Sequence, residues 1–221
     1  MNKILLTIAS VLVASCSSAP PTIQEGPDAQ VSFDGLHVVD NSIFKLAWAD
    51  PEVDFSQYNK IMPGGAFFEY RAVKNKSRSG RALSSQREFY IDDKARERLE
   101  AIVSEIFNEE VAKSTRFTVT DAPGPDVLII RGGLHDIVSF VPPETVGRSD
   151  IYLSEVGEIT LLLEVVDSRS NEVIMRAVER RAAESAYAMR SSPVTTWSEI
   201  RRLTRRWATK LRDGLDAIPE A

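Results

Sequence analysis

The chain has 221 residues, with 27 lysines and arginines against 32 aspartates and glutamates, for a net charge of −5. That length supports a domain with a full core, and the acidic balance argues against general nucleic-acid binding. Hydrophobic residues make up 43% and charged residues 27%, as in globular proteins, and the single cysteine excludes an intrachain disulfide.

The chain opens on the short positive segment Met1-Asn2-Lys3, followed by the apolar run Ile4 to Val13 and the small residues Ala14 and Ser15. This is the three-part pattern of a secretory signal. The run is too short to span a bilayer, which takes roughly 20 apolar residues. Val13-Ala14-Ser15-Cys16 resembles the lipobox of bacterial lipoproteins: an aliphatic residue, two small residues, then cysteine. The resemblance implies cleavage before Cys16, a diacylglyceryl group on its sulfur and acylation of the new amino terminus. Two or more acyl chains anchor stably, at about 0.8 kcal/mol per buried methylene. Ser17, not aspartate, follows, which in a two-membrane envelope implies sorting to the outer membrane. The expected location is its inner leaflet, facing the periplasm. The expected organisation is a signal peptide at 1–15, a lipidated cysteine and flexible Pro/Gly-rich tether at 16–32, and one domain at 33–221.

Residues 33–48 have no clean period and read as an irregular lead-in. Asp50-Pro51-Glu52-Val53-Asp54 is a turn that mimics part of a calcium loop but lacks its glycine and distal glutamate. Tyr58 to Tyr70 reads as a strand that Pro63-Gly64-Gly65 interrupts, which predicts a bulge or an edge position. A polar loop follows at 72–88. Ala95, Leu99, Ile102, Val103, Ile106 and Phe107 recur at helical spacing and predict a helix over 91–113, capped by Asp92 or Asp93. Residues 116–120 read as a short strand. Residues 126–138 read as a central strand, with Gly132-Gly133 as a bulge. A long loop spans 139–156. Residues 158–167 and 172–183 form a hairpin, with Ile159, Leu161, Leu163 and Val165 on one face. Trp197, Ile200, Thr204, Trp207 and Leu211 form one stripe of a final helix over 195–215. The order predicts an α+β fold: a mostly antiparallel sheet of about five strands with two amphipathic helices on one face.

Several of these residues also carry a family resemblance. They are Asp34-Gly35-Leu36, then Pro51, Asp54, Ser56, Tyr58 and Lys60, then Asp126-Val127-Leu128 with Arg131, then Glu164, Asp167 and Ser168, and finally Arg180-Arg181. In this pattern the chain resembles the bacterial lipoproteins of the domain-of-unknown-function 3313 family, over about residues 33–216. Ser170-Asn171-Glu172 departs from the Thr-Gly-Glu often found at the family's hairpin, but asparagine tolerates a left-handed turn. The resemblance implies an envelope lipoprotein fold and no activity.

No Gly-x-Ser-x-Gly elbow, phosphate-binding glycine loop or His-Glu-x-x-His helix occurs. His135 and Asp136 are strand neighbours that should point to opposite faces and so form no dyad. Glu158 and Glu164 share a face but stand far apart. No enzyme, cofactor or metal site is expected. Two basic segments are candidate contacts for anionic lipid or cell-wall polymer: Arg71, Lys74, Lys76, Arg78 and Arg81 in the polar loop, and Arg201, Arg202, Arg205 and Arg206 in the last helix. The loop residues Phe140, Val141, Ile151, Tyr152 and Leu153 are candidates for contact with a partner protein. Three readings follow. The first is a membrane-tethered, non-catalytic accessory or binding module. The second is a homo-oligomeric structural lipoprotein pairing through the 58–70 strand edge. The third is a cell-wall hydrolase.

Overall fold

The computed structural model describes residues 19–73, 88–142 and 150–218. Among these, eight strands form one sheet: β1 (Thr22–Ile23), β2 (His37–Asp40), β3 (Leu46–Ala49), β4 (Lys60–Tyr70), β5 (Thr118–Val119), β6 (Val127–Ser139), β7 (Tyr152–Asp167) and β8 (Val173–Arg190). Their order is β1-β2-β3-β8-β7-β6-β4-β5. The two helices are α1 (Asp93–Val111) and α2 (Pro193–Asp216). The fold is α+β as expected, but the sheet has eight strands rather than five and is mixed. β4 runs parallel to both β6 and β5, because α1 crosses over between β4 and β6 and returns the chain in the same direction. The remaining pairings are antiparallel.

Both helices cover one face of the sheet. Leu99 and Val103 of α1 join Leu203, Trp207 and Leu211 of α2 in one core with Leu128, Ile130, Leu161, Leu163 and Val165. Ile102 and Ile106 meet Ala208 between the helices. Asp92 caps α1 by accepting a 2.8 Å bond from the Ala95 amide. Ser192 and Thr195 form a capping box at the start of α2, with Pro193 in its first turn. Proline suits that position because its missing N–H would have had no partner there.

The expected lead-in at 33–48 is instead β2 and β3, which are too short to show a period. β3 extends the sheet by pairing Leu46–Ala49 with β8. The expected tether is partly docked: Thr22 and Ile23 pair with Asp40 and Val39, and the Val38 amide donates to the Gln30 carbonyl at 2.9 Å. The chain therefore joins the sheet at Thr22. The loop expected to run to residue 156 ends sooner, since Tyr152 and Leu153 already belong to β7, opposite Arg190 and Met189.

The bulge expected in β4 is present, with a register break between Pro63 and Ala66. The one expected at Gly132-Gly133 is not. These glycines keep register with Leu163 and Leu162. Their role is close approach: a Cβ on Gly132 would lie 2.8 Å from the Leu162 carbonyl oxygen, and one on Gly133 2.3 Å from the Phe67 ring. The break in β6 comes later, between His135 and Val138, where Asp136 adopts φ 52°.

Candidate functional site

Alternation along β6, β7 and β8 sends one set of side chains into the core and the other to the helix-free face. On that open face arginines and carboxylates interlock. Arg176 contacts Glu164 at 3.0 Å and Asp34 at 2.7 Å, and Glu164 also accepts from Arg131 at 2.9 Å. Asp136 sits between Arg71 at 2.5 Å and Arg180 at 2.9 Å, and Arg180 continues to Glu158 at 2.6 Å. Hydrogen bonds from Arg71 hold Asp136 below the usual carboxylate range, and those from Arg180 do the same for Glu158. These carboxylates stay ionised and accept only.

His135 and Asp136 do not form a dyad, although the reason differs from simple alternation. The left-handed Asp136 interrupts the strand and turns its carboxylate to Arg180 on the open face. His135 Nδ1 lies 2.6 Å from Glu69 Oε2, with its ring edge-on to Phe67 at 4.6 Å. Asp50 and Asp54 accept backbone N–H bonds from Glu52 at 2.9 Å and Ser56 at 3.0 Å. Among the described residues no cluster of three or more histidine, aspartate or glutamate side chains is arranged to hold a metal.

The helix side carries a different feature. The first turns of α1 and α2 and the adjoining end of the sheet surround a groove of about 590 Å³. Its floor is Ile137, Val156 and Ile159; Leu99, Trp197 and Ile200 wall it; Tyr90, Val141, Ile151 and Arg190 stand at the rim. Arg98 stacks over Trp197, 4.5 Å from the ring centre, and Arg190 pairs with Asp150 at 2.9 Å. Thr196 lies among the groove residues, with its hydroxyl buried and without a hydrogen-bond partner among the described residues. The neighbouring surface is apolar: Tyr152 is 61% exposed, Tyr187 83% and Val194 78%.

Of the expected contact residues, Cys16, Lys74, Lys76, Arg78 and Arg81 lie outside the described residues. Arg71 is not a free cation, being held by Asp136 and by Glu88 at 2.5 Å. It reaches the open face, whereas Arg201, Arg202, Arg205 and Arg206 are exposed on α2, over the opposite face. Arg71 therefore shares no surface with the α2 arginines. Val141 and Ile151 line the groove. Phe140 is half-buried, its amide bonded to the Val156 carbonyl at 3.0 Å. Tyr152 and Leu153 are strand residues, and Tyr152 is exposed beside the groove. Sequence reasoning missed Trp197 and Ile200 as groove residues, because their helical spacing reads equally well as core.

Residues 38–211 match the family model described as "Protein of unknown function (DUF3313)". The chain belongs to this family. The family-pattern residues fall at interlocks of the fold. The Tyr58 hydroxyl donates to Asp167 at 2.8 Å, Lys60 to Asp126 at 2.8 Å, and the Ser168 hydroxyl to the Gly124 carbonyl at 2.7 Å. The chain matches none of the curated proteins in sequence. It is similar in structure to a PelC dodecamer subunit from Paraburkholderia phytofirmans, at 11% identity and TM-score 0.35, over 75% of this chain and 94% of that one. It is also similar to protein XCC0632 from Xanthomonas campestris, at 13% identity and TM-score 0.36, over 74% of this chain and 86% of that one. A PDZ domain protein from Parabacteroides distasonis gives 13% identity and TM-score 0.38, over 79% of this chain and 35% of that one. All three are loose likenesses.

Proposed function

We propose that this chain is a lipid-anchored envelope lipoprotein that works as a non-catalytic binding module, with the groove at the first turns of α1 and α2 as its ligand site. The groove carries the reading. Its volume of about 590 Å³ falls in the range of ligand sites, roughly 300–1,000 Å³. Its lining is largely apolar, with Asp150 and Arg190 as polar side chains among it. The exposed Tyr152, Tyr187 and Val194 extend the apolar surface outside it, as fits contact with an apolar segment of another envelope component. One further observation favours binding over catalysis: the open-face carboxylates Asp136 and Glu158 are arginine-paired and held ionised. The lipobox-like Val13-Ala14-Ser15-Cys16 supports the anchor.

The test is photo-crosslinking in intact cells from a reactive residue at Ile151 or Trp197, with Arg169 on the β7–β8 turn as control. A specific adduct at the groove positions and none at Arg169 supports the module and names its ligand. Equal labelling at all three, or none, overturns the groove assignment. The intact mass of the purified protein tests the anchor separately, since acylation at Cys16 adds a defined increment.

A further inference from the structure

The second basic surface has a geometry of its own. The exposed side of α2 carries Arg201, Arg202, Arg205 and Arg206, which with Ser198 and Thr209 line a shallow depression. Arg202 is partnered by Glu199 at 2.5 Å. Arg201, Arg205 and Arg206 have no carboxylate partner among the described residues. By contrast, Arg71, Arg131, Arg176, Arg180, Arg181 and Arg212 are each held by a carboxylate. The neighbouring helix has the opposite character: Asp93, Glu97, Glu105 and Glu109 are exposed along α1.

The path of the chain places this surface relative to Cys16. Asn41 donates to the Pro20 carbonyl at 3.5 Å. Two residues further on, Ile43 packs so closely on α2 that a Cβ on Gly214 would lie 2.9 Å from it. The chain thus joins the domain beside the C-terminal half of α2. Cys16 precedes Pro20 by four residues, a reach of at most about 14 Å. Gly214 follows Arg206 by eight helical residues, about 12 Å along the axis. A bilayer holding the lipid on Cys16 is therefore within reach of the basic side of α2.

We propose that α2 docks its Arg201–Arg205–Arg206 side onto anionic lipid headgroups of the same membrane that anchors Cys16. This rests on the lipoprotein reading above. An arginine near an anionic surface contributes roughly a fivefold factor to binding, so three of them bias the tethered domain strongly. The acids of α1 are repelled by the same surface and set the roll, so that α2 rather than α1 meets the bilayer. The groove, at the N-terminal end of α2, then opens along the membrane plane toward neighbouring components.

The test uses the mature protein purified from membranes, with Ser198→Cys labelled by a fluorophore and Thr160→Cys on the open face as control. It is reconstituted into vesicles of phosphatidylcholine alone or mixed with phosphatidylglycerol, each doped with a headgroup-anchored paramagnetic quencher. Docking predicts strong quenching at position 198 only in the phosphatidylglycerol vesicles. High salt should reduce it, as should R201E/R205E/R206E, by about a hundredfold or more in the docked-to-free ratio. R205Q/R206Q should give an intermediate loss. Equal quenching in both vesicle types, or quenching unaffected by the triple variant, overturns the docking. An intact mass without acyl groups on Cys16 overturns the anchor reading and the docking with it, whereas an acylated protein whose position 198 stays remote from both vesicles overturns the docking alone.

Discussion

Asp34 and Arg176, separated by 142 residues, meet through two hydrogen bonds of 3.1 and 2.7 Å. The guanidinium that grips Asp34 also holds Glu164, and the Phe33 ring lies 5.4 Å from it. The hydrogen bonds from Arg176 keep the Asp34 carboxyl below its ordinary range. One side chain thus ties the turn before β2 to the two longest strands. Asp34→Asn should cost about 1 kcal/mol in urea unfolding and speed amide exchange in β1 and β2 before the rest of the sheet. Arg176→Met should cost more, because it leaves Asp34 without a cation and Glu164 with Arg131 alone. A double-mutant cycle should return a coupling of about 1 kcal/mol; additive losses would mean that the pair contributes nothing as a pair.

Glu179 is 1% exposed, beneath α2, where Lys210 reaches it at 2.7 Å and Arg181 also binds it. Burial pushes its carboxyl upward, but the bonds from Lys210 and Arg181 outweigh burial and the net direction is downward. Removing one partner of a buried pair leaves an uncompensated charge, at about 3 kcal/mol. Glu179→Leu should show a loss of that order in chemical denaturation. Glu179→Leu combined with Lys210→Met should recover part of it, because the ammonium is no longer stranded while Arg181 still lacks its carboxylate.

Acid sensitivity follows from the same groups. Asp34, Asp136, Glu158 and Glu179 all titrate lower in the fold than their ordinary values of 3.8 for aspartate and 4.5 for glutamate. Below those values the unfolded chain takes up protons that the folded chain still refuses, so acid favours unfolding. Their contribution is complete above the ordinary values and is lost as pH falls through the lowered ones. The urea midpoint should stay flat from neutral pH down to roughly 5.5 and fall steeply below about 4.5. A midpoint that rises on acidification would contradict the pairing on the open face.

Among the described glycines, Gly157 has the closest backbone neighbour. A Cβ there would lie 2.4 Å from the Val138 carbonyl oxygen, next to the break in β6. The obstacle is backbone and has no rotamer to escape into. Gly157→Ala should cost about 2 kcal/mol by calorimetry or denaturant melts. Gly133→Ala meets the half-exposed Phe67 ring instead, and Phe67→Ala should relieve it.

Much of the framework was legible in the sequence. The stripes of α1 and α2 and the alternation from Ile159 to Val165 are long enough for their periods to show. His37–Asp40 and Leu46–Ala49 are not, and only pairing with β8 makes them part of the sheet. The parallel run of β4 was implicit in its strand–helix–strand order. The bulge went to Asp136 rather than Gly132 because a glycine pair marks either a bulge or a close approach, and only the neighbouring strand decides between them. The groove was visible in fragments. Val141 and Ile151 stood out as apolar loop residues, but nothing in the chain said that Trp197 and Ile200 would meet them. The ion pairs on the open face join residues far apart and were hidden, although the family pattern had already singled out Asp34, Glu164 and Arg180.

The helix α2 also fixes a distance. Trp197 stands in the groove and Gly214, seventeen residues further along the same unbroken helix, stands where the chain joins the domain. At 1.5 Å per residue that is about 26 Å of rigid rod. In the function proposed above, an occupant of the groove would be held at a set offset from the lipid tether, like a mark on a gauge, so lengthening α2 by a full turn would move the ligand without altering either end.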